Sequence, residues 1–238
     1  FLILRRQSLM SDTLSHVSLS GVAFGLFLGF SPTISTVIVV IIAAVFLEYL
    51  RTVYKDFMEI GTAILMSTGL ALALVIMKGG GKSSMSLDQY LFGSTLTITD
   101  EQVLALFVIA AIVLCLTVLF IRPMYILTFD EDTAYVDGLP VRLMSILFNI
   151  VTGVAIALMI PAAGSLLVST IMVLPASIAL KLGKTFRSVM LLAVVIGFVG
   201  MVSGLILSYY PDTPVSATIT LLFVSFFLLS NLFVKFRK

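Results

Sequence analysis

Asp12 and His16 lie four residues apart. On a helix that spacing puts both side chains on one face, one turn apart. A carboxylate beside a neutral imidazole suits a borderline dication such as zinc, and manganese accepts the same pair. His16 is the only histidine in the chain, and no formal charge follows Asp12 until Glu48. Ionisable groups in apolar surroundings are costly and usually face a polar interior or a pathway. Two ligands do not complete a tetrahedral shell, which fits a site that must let its ion go. Both must be deprotonated to bind, so acid weakens such a site. A plainer reading competes: Asp12 or Ser11 caps a helix, and His16 bonds a neighbouring carbonyl. Spacing alone leaves both open.

Other segments offer weaker chemistry. Gly79-Gly80-Gly81-Lys82-Ser83 invites a phosphate-loop reading, but the pattern needs glycine where Ile76 stands. The chain therefore shows no ATPase motif, and a flexible loop accounts better for the glycines. Asp130-Glu131-Asp132 is either a cation chelate or a solvated acidic run. The segment from Phe129 through Ala134, closed by Gly138-Leu139-Pro140, reads as a short amphipathic helix ended by Gly and Pro. Lying against a membrane, it offers a docking surface for a soluble partner. Ser67, Thr68, Ser169, Thr170 and Ser177 are small polar residues within apolar runs. They either line a pathway or make helix packing contacts.

The elements that must hold these groups follow from composition. Of 238 residues 60% are hydrophobic and 11% charged, and the mean hydropathy is +1.21. A soluble domain carries roughly 25% charged residues, and a single core of this size could not hide so much apolar surface. The apolar runs are continuous rather than alternating, which excludes a barrel and predicts an all-α, polytopic membrane protein. Cys115 is the only cysteine, so no intrachain disulfide forms. A net charge of +2 is too small to imply nucleic acid.

A span needs about 20 mostly apolar residues. Uncharged runs cover 13–47, 60–77, 102–121, 143–180, 188–211 and 213–234. Ser31-Pro32-Thr33 divides the first and Pro161-Ala162-Ala163-Gly164 the fourth, which predicts eight spans. The piece 165–180 is short and holds Pro175. Phe1-Leu2-Ile3-Leu4, with no initiating Met, reads as the tail of an apolar helix from which the native start is missing. Alternating the spans puts every Lys and Arg except Lys78 and Lys82 on one side. Positive residues stay cytoplasmic, so that side is inside, and the C-terminus with it. A long outer loop then covers about 78–101 and a long inner one about 122–142. Leu91-Phe92-Gly93-Ser94 and Tyr209-Tyr210-Pro211-Asp212-Thr213-Pro214 fall outside, as entrance lining or ordinary interfacial aromatics and turns. The whole chain, 1–238, reads as a single transmembrane domain.

Several of these stretches resemble a known family. The run from Arg5-Arg6-Gln7-Ser8 through Asp12-Thr13-Leu14-Ser15-His16 to Gly21-Val22-Ala23 resembles the signature of the zinc/manganese permeases of bacterial ABC importers. Leu91-Phe92-Gly93-Ser94-Thr95-Leu96-Thr97-Ile98-Thr99 is similar to that family's outer-loop motif. So are 166–186, with Val168-Ser169-Thr170 and Leu174-Pro175-Ala176, to its late core helix, and 208–214 to its late outer turn. The likeness covers essentially the whole chain and is nearer to the Adc/Znu-type zinc permeases of Gram-positive bacteria than to the manganese branch.

The resemblance implies a type II ABC importer-like permease in the cell membrane, working as a homodimer. Cytoplasmic ATP-binding subunits bind and hydrolyse ATP, and an extracellular metal-binding lipoprotein delivers the ion. Zn2+ is then cargo, with Mn2+ as the alternative, and no cofactor is intrinsic. Asp12 and His16 match family residues implicated in the metal path. Phe129, Asp130, Glu131, Asp132, Ala134, Gly138 and Pro140 match the region that touches the ATPase, and Ser67, Ser169 and Thr170 are left as pathway lining. Rival readings are a manganese permease, an ATP-independent metal carrier or channel, and a non-transporting membrane scaffold.

Overall fold

The computed structural model describes residues 1–54, 58–79, 87–93, 98–209 and 213–237. Lys55, Lys82, Ser94 to Thr97 and Tyr210-Pro211-Asp212 lie outside the described residues. Ten helices follow in order: α1 Met10–Leu28, α2 Pro32–Val53, α3 Met58–Gly79, α4 Leu87–Phe92, α5 Asp100–Phe129, α6 Glu131–Val136, α7 Val141–Ala163, α8 Ser165–Leu182, α9 Phe186–Tyr209 and α10 Val215–Arg237. Among the described residues there is no strand. Eight helices are long, as the apolar runs predict. Seven of them, α2, α3, α5 and α7 to α10, are both long and apolar enough to cross a membrane. The eighth, α1, has the length, but Asp12, His16 and its serines make it too polar to count as a span by composition.

That polar helix is the centre of the bundle. Every residue from Met10 to Ala23 is buried except Asp12 and His16. Its hydroxyls fold back on nearby carbonyls: Ser11 donates to Ser8, Thr13 to Leu9, Ser18 to Ser15 and Ser20 to Val17, at 2.6–3.1 Å. A serine satisfied in this way can be packed in apolar surroundings. Small residues then let neighbours approach at backbone distance, as in membrane helix pairs. A Cβ on Gly21 would lie 2.5 Å from Cα of Thr36 in α2, and one on Gly69 of α3 would lie 2.8 Å from Cα of Val17.

Helix ends follow the residues available to close them. Gly29 ends α1 in the left-handed region, and the Phe30 amide returns to the Gly25 carbonyl. Pro32 opens α2, where its missing amide hydrogen costs nothing. Thr99 and Gln102 form a reciprocal capping box that starts α5. Residues 2–7 also close in a helix-end motif, with Arg6 at φ 57° and the Gln7 amide on the Leu2 carbonyl.

Two sequence expectations need correction. The inner loop does not begin at Arg122. Helix α5 continues through Pro123 to Phe129, because Met124 and Leu127 gain burial against Ala134 and Met144. The break between α7 and α8 is likewise shorter than Pro161-Ala162-Ala163-Gly164. Pro161 stays helical and the chain turns at Gly164 alone, with φ 79° and ψ 153°, a conformation essentially restricted to glycine. Helix α8 is continuous through the buried Pro175 and, at 18 residues, about 27 Å long.

The outer loop contains an element the apolar runs did not announce. Helix α4 packs on the α7–α8 turn so closely that a Cβ on Gly164 would lie 2.4 Å from the Leu91 carbonyl oxygen. Gly164→Ala therefore meets both a forbidden dihedral and a backbone collision. It is expected to cost at least about 2 kcal/mol, seen as a lower thermal midpoint in detergent. Gly79→Ala, with nothing within 4 Å of its Cβ, is expected to leave that midpoint in place.

Candidate functional site

Helix α1 carries the pair singled out by sequence. Thr13 and Val17 face α3, Gly21 and Gly25 face α2, and Ser15 and Ser18 face α4. Asp12 and His16 lie on the remaining side, half-buried. Among the described residues neither makes a hydrogen bond or an ion pair. The capping alternative is thereby disfavoured: Asp12 sits inside the first turn and accepts nothing, and no side chain caps α1. The arrangement offers a carboxylate and an imidazole, both unspent, on the one uncovered strip of a buried helix. Among the described residues no group of three or more His, Cys, Asp or Glu is placed to hold a metal ion.

The level of His16 is set from the α4 side. Tyr90 of α4 is buried, and its hydroxyl donates to the Ser15 carbonyl and meets the Ser18 hydroxyl at 2.6 Å. Burial pushes the Tyr90 phenol well above its ordinary range, so it stays neutral. Sequence reasoning passed over Tyr90, because a tyrosine in a polar loop gives no sign of inserting beside α1.

The polar residues proposed as pathway lining are placed differently from one another. Ser67 and Thr68 are exposed on α3, and Thr68 bonds back to Ile64 at 2.8 Å. Thr170 meets Thr220 of α10 at 3.3 Å, a packing contact between helices, while Ser169 and Ser177 are half-buried on α8. A cavity of about 400 Å³ lies between α5, α7 and α8, lined by residues such as Leu116, Phe120, Met144, Phe148 and Met172. It is apolar and includes neither Asp12 nor His16. A bare dication has no reason to enter it.

The basic end of the bundle holds a polar network. Arg51, near the end of α2, donates from Nη1 to Glu48 Oε1 at 3.3 Å and to Ser145 Oγ at 2.9 Å. Its Nη2 donates to Glu131 Oε2 of α6 at 2.8 Å. Asn149 of α7 is fully buried and donates to Glu48 Oε2 at 2.8 Å. Arg5 donates to Ser145 at 2.6 Å. Burial first, and then the neighbouring Arg51, lower the Arg5 guanidinium to about 10, so it remains charged at neutral pH.

Helix α6 divides the residues expected at a docking surface into separate jobs. The exposed Asp130 caps α6, accepting from the Thr133 amide and hydroxyl, and these two bonds hold its carboxyl below the usual range. Glu131 is half-exposed and turns to Arg51. Ala134 is fully buried and anchors α6 against Met124, Leu127 and Met144. Gly138 closes the helix at φ 77°, and Pro140 precedes α7. The Phe129 ring lies tilted against Tyr125 at 4.7 Å and edge-to-face with Phe186 at 6.2 Å. Apart from Glu131 and Thr133, what α6 and its C-cap show to solvent is Asp132, Tyr135, Val136 and Asp137, with Tyr135 and Val136 77% and 84% exposed. The last two were missed in the sequence, where attention went to the acids.

Comparison with known proteins gives consistent results. Residues 1–234 match the model of the ABC 3 transport family. The chain is 27% identical over 97% of its length to the high-affinity zinc uptake system membrane protein ZnuB of Haemophilus influenzae, covering 88% of that protein. It is 29% identical over 97% of its length to the manganese import system permease protein ScaB of Streptococcus parasanguinis, covering 82% of that protein. The solved structure of PsaBC from Streptococcus pneumoniae in complex with Fab superposes with a TM-score of 0.84 at 29% identity, over 97% of this chain and 83% of that one.

Removing the Tyr90 hydroxyl tests what holds α1 at the level of His16. Tyr90→Phe is expected to lower stability by about 1 kcal/mol, read as a fall in the detergent thermal midpoint. An unchanged midpoint would mean that this contact holds nothing.

Proposed function

The chain belongs to the ABC 3 transport family, and from that membership we propose that it is the permease subunit of an ATP-driven importer of zinc. The observation that carries the cargo is the Asp12–His16 pair: the sole uncovered positions between Met10 and Ala23, both without partners among the described residues. Desolvating a bare dication in a low-dielectric bundle is prohibitive, so a path needs a charged foothold. Ionised Asp12 offsets part of the charge. Neutral His16 supplies a nitrogen, which favours zinc over magnesium or calcium. One copy offers only two donors, which fits a homodimer in which each copy contributes a pair.

Permeases of this family have no catalytic step of their own in this reading. An extracellular binding protein delivers the ion, and cytoplasmic ATP-binding subunits drive alternation between outward and inward openings. The exposed strip of α6, with Asp132, Tyr135, Val136 and Asp137, is the docking surface for those subunits. The basic residues gathered at the α6 end support placing that end, and the C-terminus, in the cytoplasm. A manganese cargo is the second reading. It is favoured by the likeness to ScaB, and His and Asp accept either metal.

Uptake into proteoliposomes tests this. The importer complex is purified from native membranes with its accompanying subunits and given zinc or manganese in competition. Asp12→Ala and His16→Ala are each expected to lower metal entry at least about tenfold, since even outer-shell partners of a metal are worth 10–100-fold. Zinc is expected to win the competition. Normal entry in both variants would remove the pair from the path, and a manganese preference would reassign the cargo. Transport by the permease alone, without ATP, would replace the importer with a carrier or channel.

A further inference from the structure

We propose that Arg51 is a positioning residue that ties helix α6 to the α1–α2–α7 core, so that movement of α6 is passed to the helix bearing Asp12 and His16. The inference rests on the reading of α6 as the docking surface for an ATP-hydrolysing subunit.

The geometry is a continuous chain of contacts. Glu131 on α6 bonds Arg51 on α2, Arg51 bonds Glu48 one turn back, and Glu48 bonds Asn149 on α7. One turn beyond Asn149, a Cβ on Gly153 would lie 2.8 Å from Val40 of α2 and 3.3 Å from Leu14 of α1. Leu14 stands between Asp12 and His16 on the same helix. The chain therefore runs from the half-exposed end of α6 to the packed centre of the bundle without a gap.

Three features set it apart from an ordinary surface ion pair. Arg51 uses its planar fork to hold Glu131 with one nitrogen while the other serves Glu48 and Ser145, a geometry a lysine ammonium does not reproduce. Glu48 and Asn149 are buried, where breaking a charged hydrogen bond is felt most. Asn149 Oδ1 and, on Arg5, Nε and Nη1 are buried without a partner among the described residues. A network serving stability alone is normally fully satisfied; one that re-pairs as α6 moves keeps donors and acceptors in reserve.

Glu131 is partly exposed at the start of α6, but its carboxylate is committed to Arg51, so its tie to the core and a docking contact can be tested separately. The test uses the complex purified from native membranes, comparing wild type with Glu131→Gln and Arg51→Lys. Metal ions imported per ATP hydrolysed are expected to fall about fivefold in both, the worth of a partly exposed ion pair. The ATP-hydrolysing subunit is expected to stay bound. A nitroxide on Val136→Cys, in a Cys115→Ser background, reads the tie in the permease alone: its spectrum is expected to sharpen when Glu131→Gln is added. An unchanged ratio with an unchanged spectrum overturns the proposal. Loss of the subunit from Glu131→Gln also overturns it, by making Glu131 a docking contact. Failure of the wild-type permease to retain any ATP-hydrolysing subunit would instead sink the reading of α6 itself.

Discussion

The structure depends on burying a polar helix in an apolar bundle. Unpaired donors and acceptors are costly away from water, and a helix has to account for all of them. Helix α1 meets most of this internally, by returning the hydroxyls of Ser11, Thr13, Ser18 and Ser20 to carbonyls three or four residues back, while the buried Ser15 hydroxyl has no partner among the described residues. Only then can α2 and α3 close on it at backbone distance. A more apolar α1 would cross a membrane readily but would have no reason to be central. A polar α1 without this local pairing would not be buried at all. Asp12 and His16 stand outside the scheme: neither bonds its own helix here, and the fold leaves both half-buried.

From this centre the two ends of the molecule are built differently. At the α4 end, contact is mostly backbone on backbone, where Gly93 meets Gly164, with one buried phenol reaching α1. At the α6 end, contact is charged and forked, through Arg51, Glu48, Glu131 and Asn149. Backbone contact tolerates little displacement, since overlap rises steeply. Hydrogen-bonded charges can exchange partners over a longer stroke. The molecule thus pairs a closely packed α4 end with a charged, hydrogen-bonded α6 end.

Much of this was legible in the sequence. Continuous apolar runs gave the long helices, Pro32 and Gly164 marked two of the turns, and Asp12 with His16 stood out by type and spacing. The rest depended on partners far away in the chain. Nothing local at Met124 or Leu127 shows that burial against Ala134 extends α5 past Pro123. Tyr90 carries no local signal of its role, which shows only where α4 docks on Gly164. Glu48 and Arg51 read as the charged end of a span, and only the neighbouring Ser145 and Asn149, about a hundred residues on, turn them into a network. The acidic run 130–132 marked the start of the short helix α6, but which side chain turns outward is decided by packing. Hence Ala134 is buried while Tyr135 and Val136 are exposed.

The same physics narrows where an ion could cross. The 400 Å³ cavity between α5, α7 and α8 is roomy but offers a dication only hydrocarbon and the odd threonine. The strip of α1 is narrow but carries a carboxylate and an imidazole with nothing else to bond. Size is a poor guide for a charged cargo, because the desolvation cost dwarfs any gain from fit. Two donors from one copy are too few to hold a metal firmly and enough to lower a barrier, and a second copy facing the strip would double them. A transient site requires that balance: ligands strong enough to draw the ion from water, and incomplete enough that the next movement of the bundle releases it.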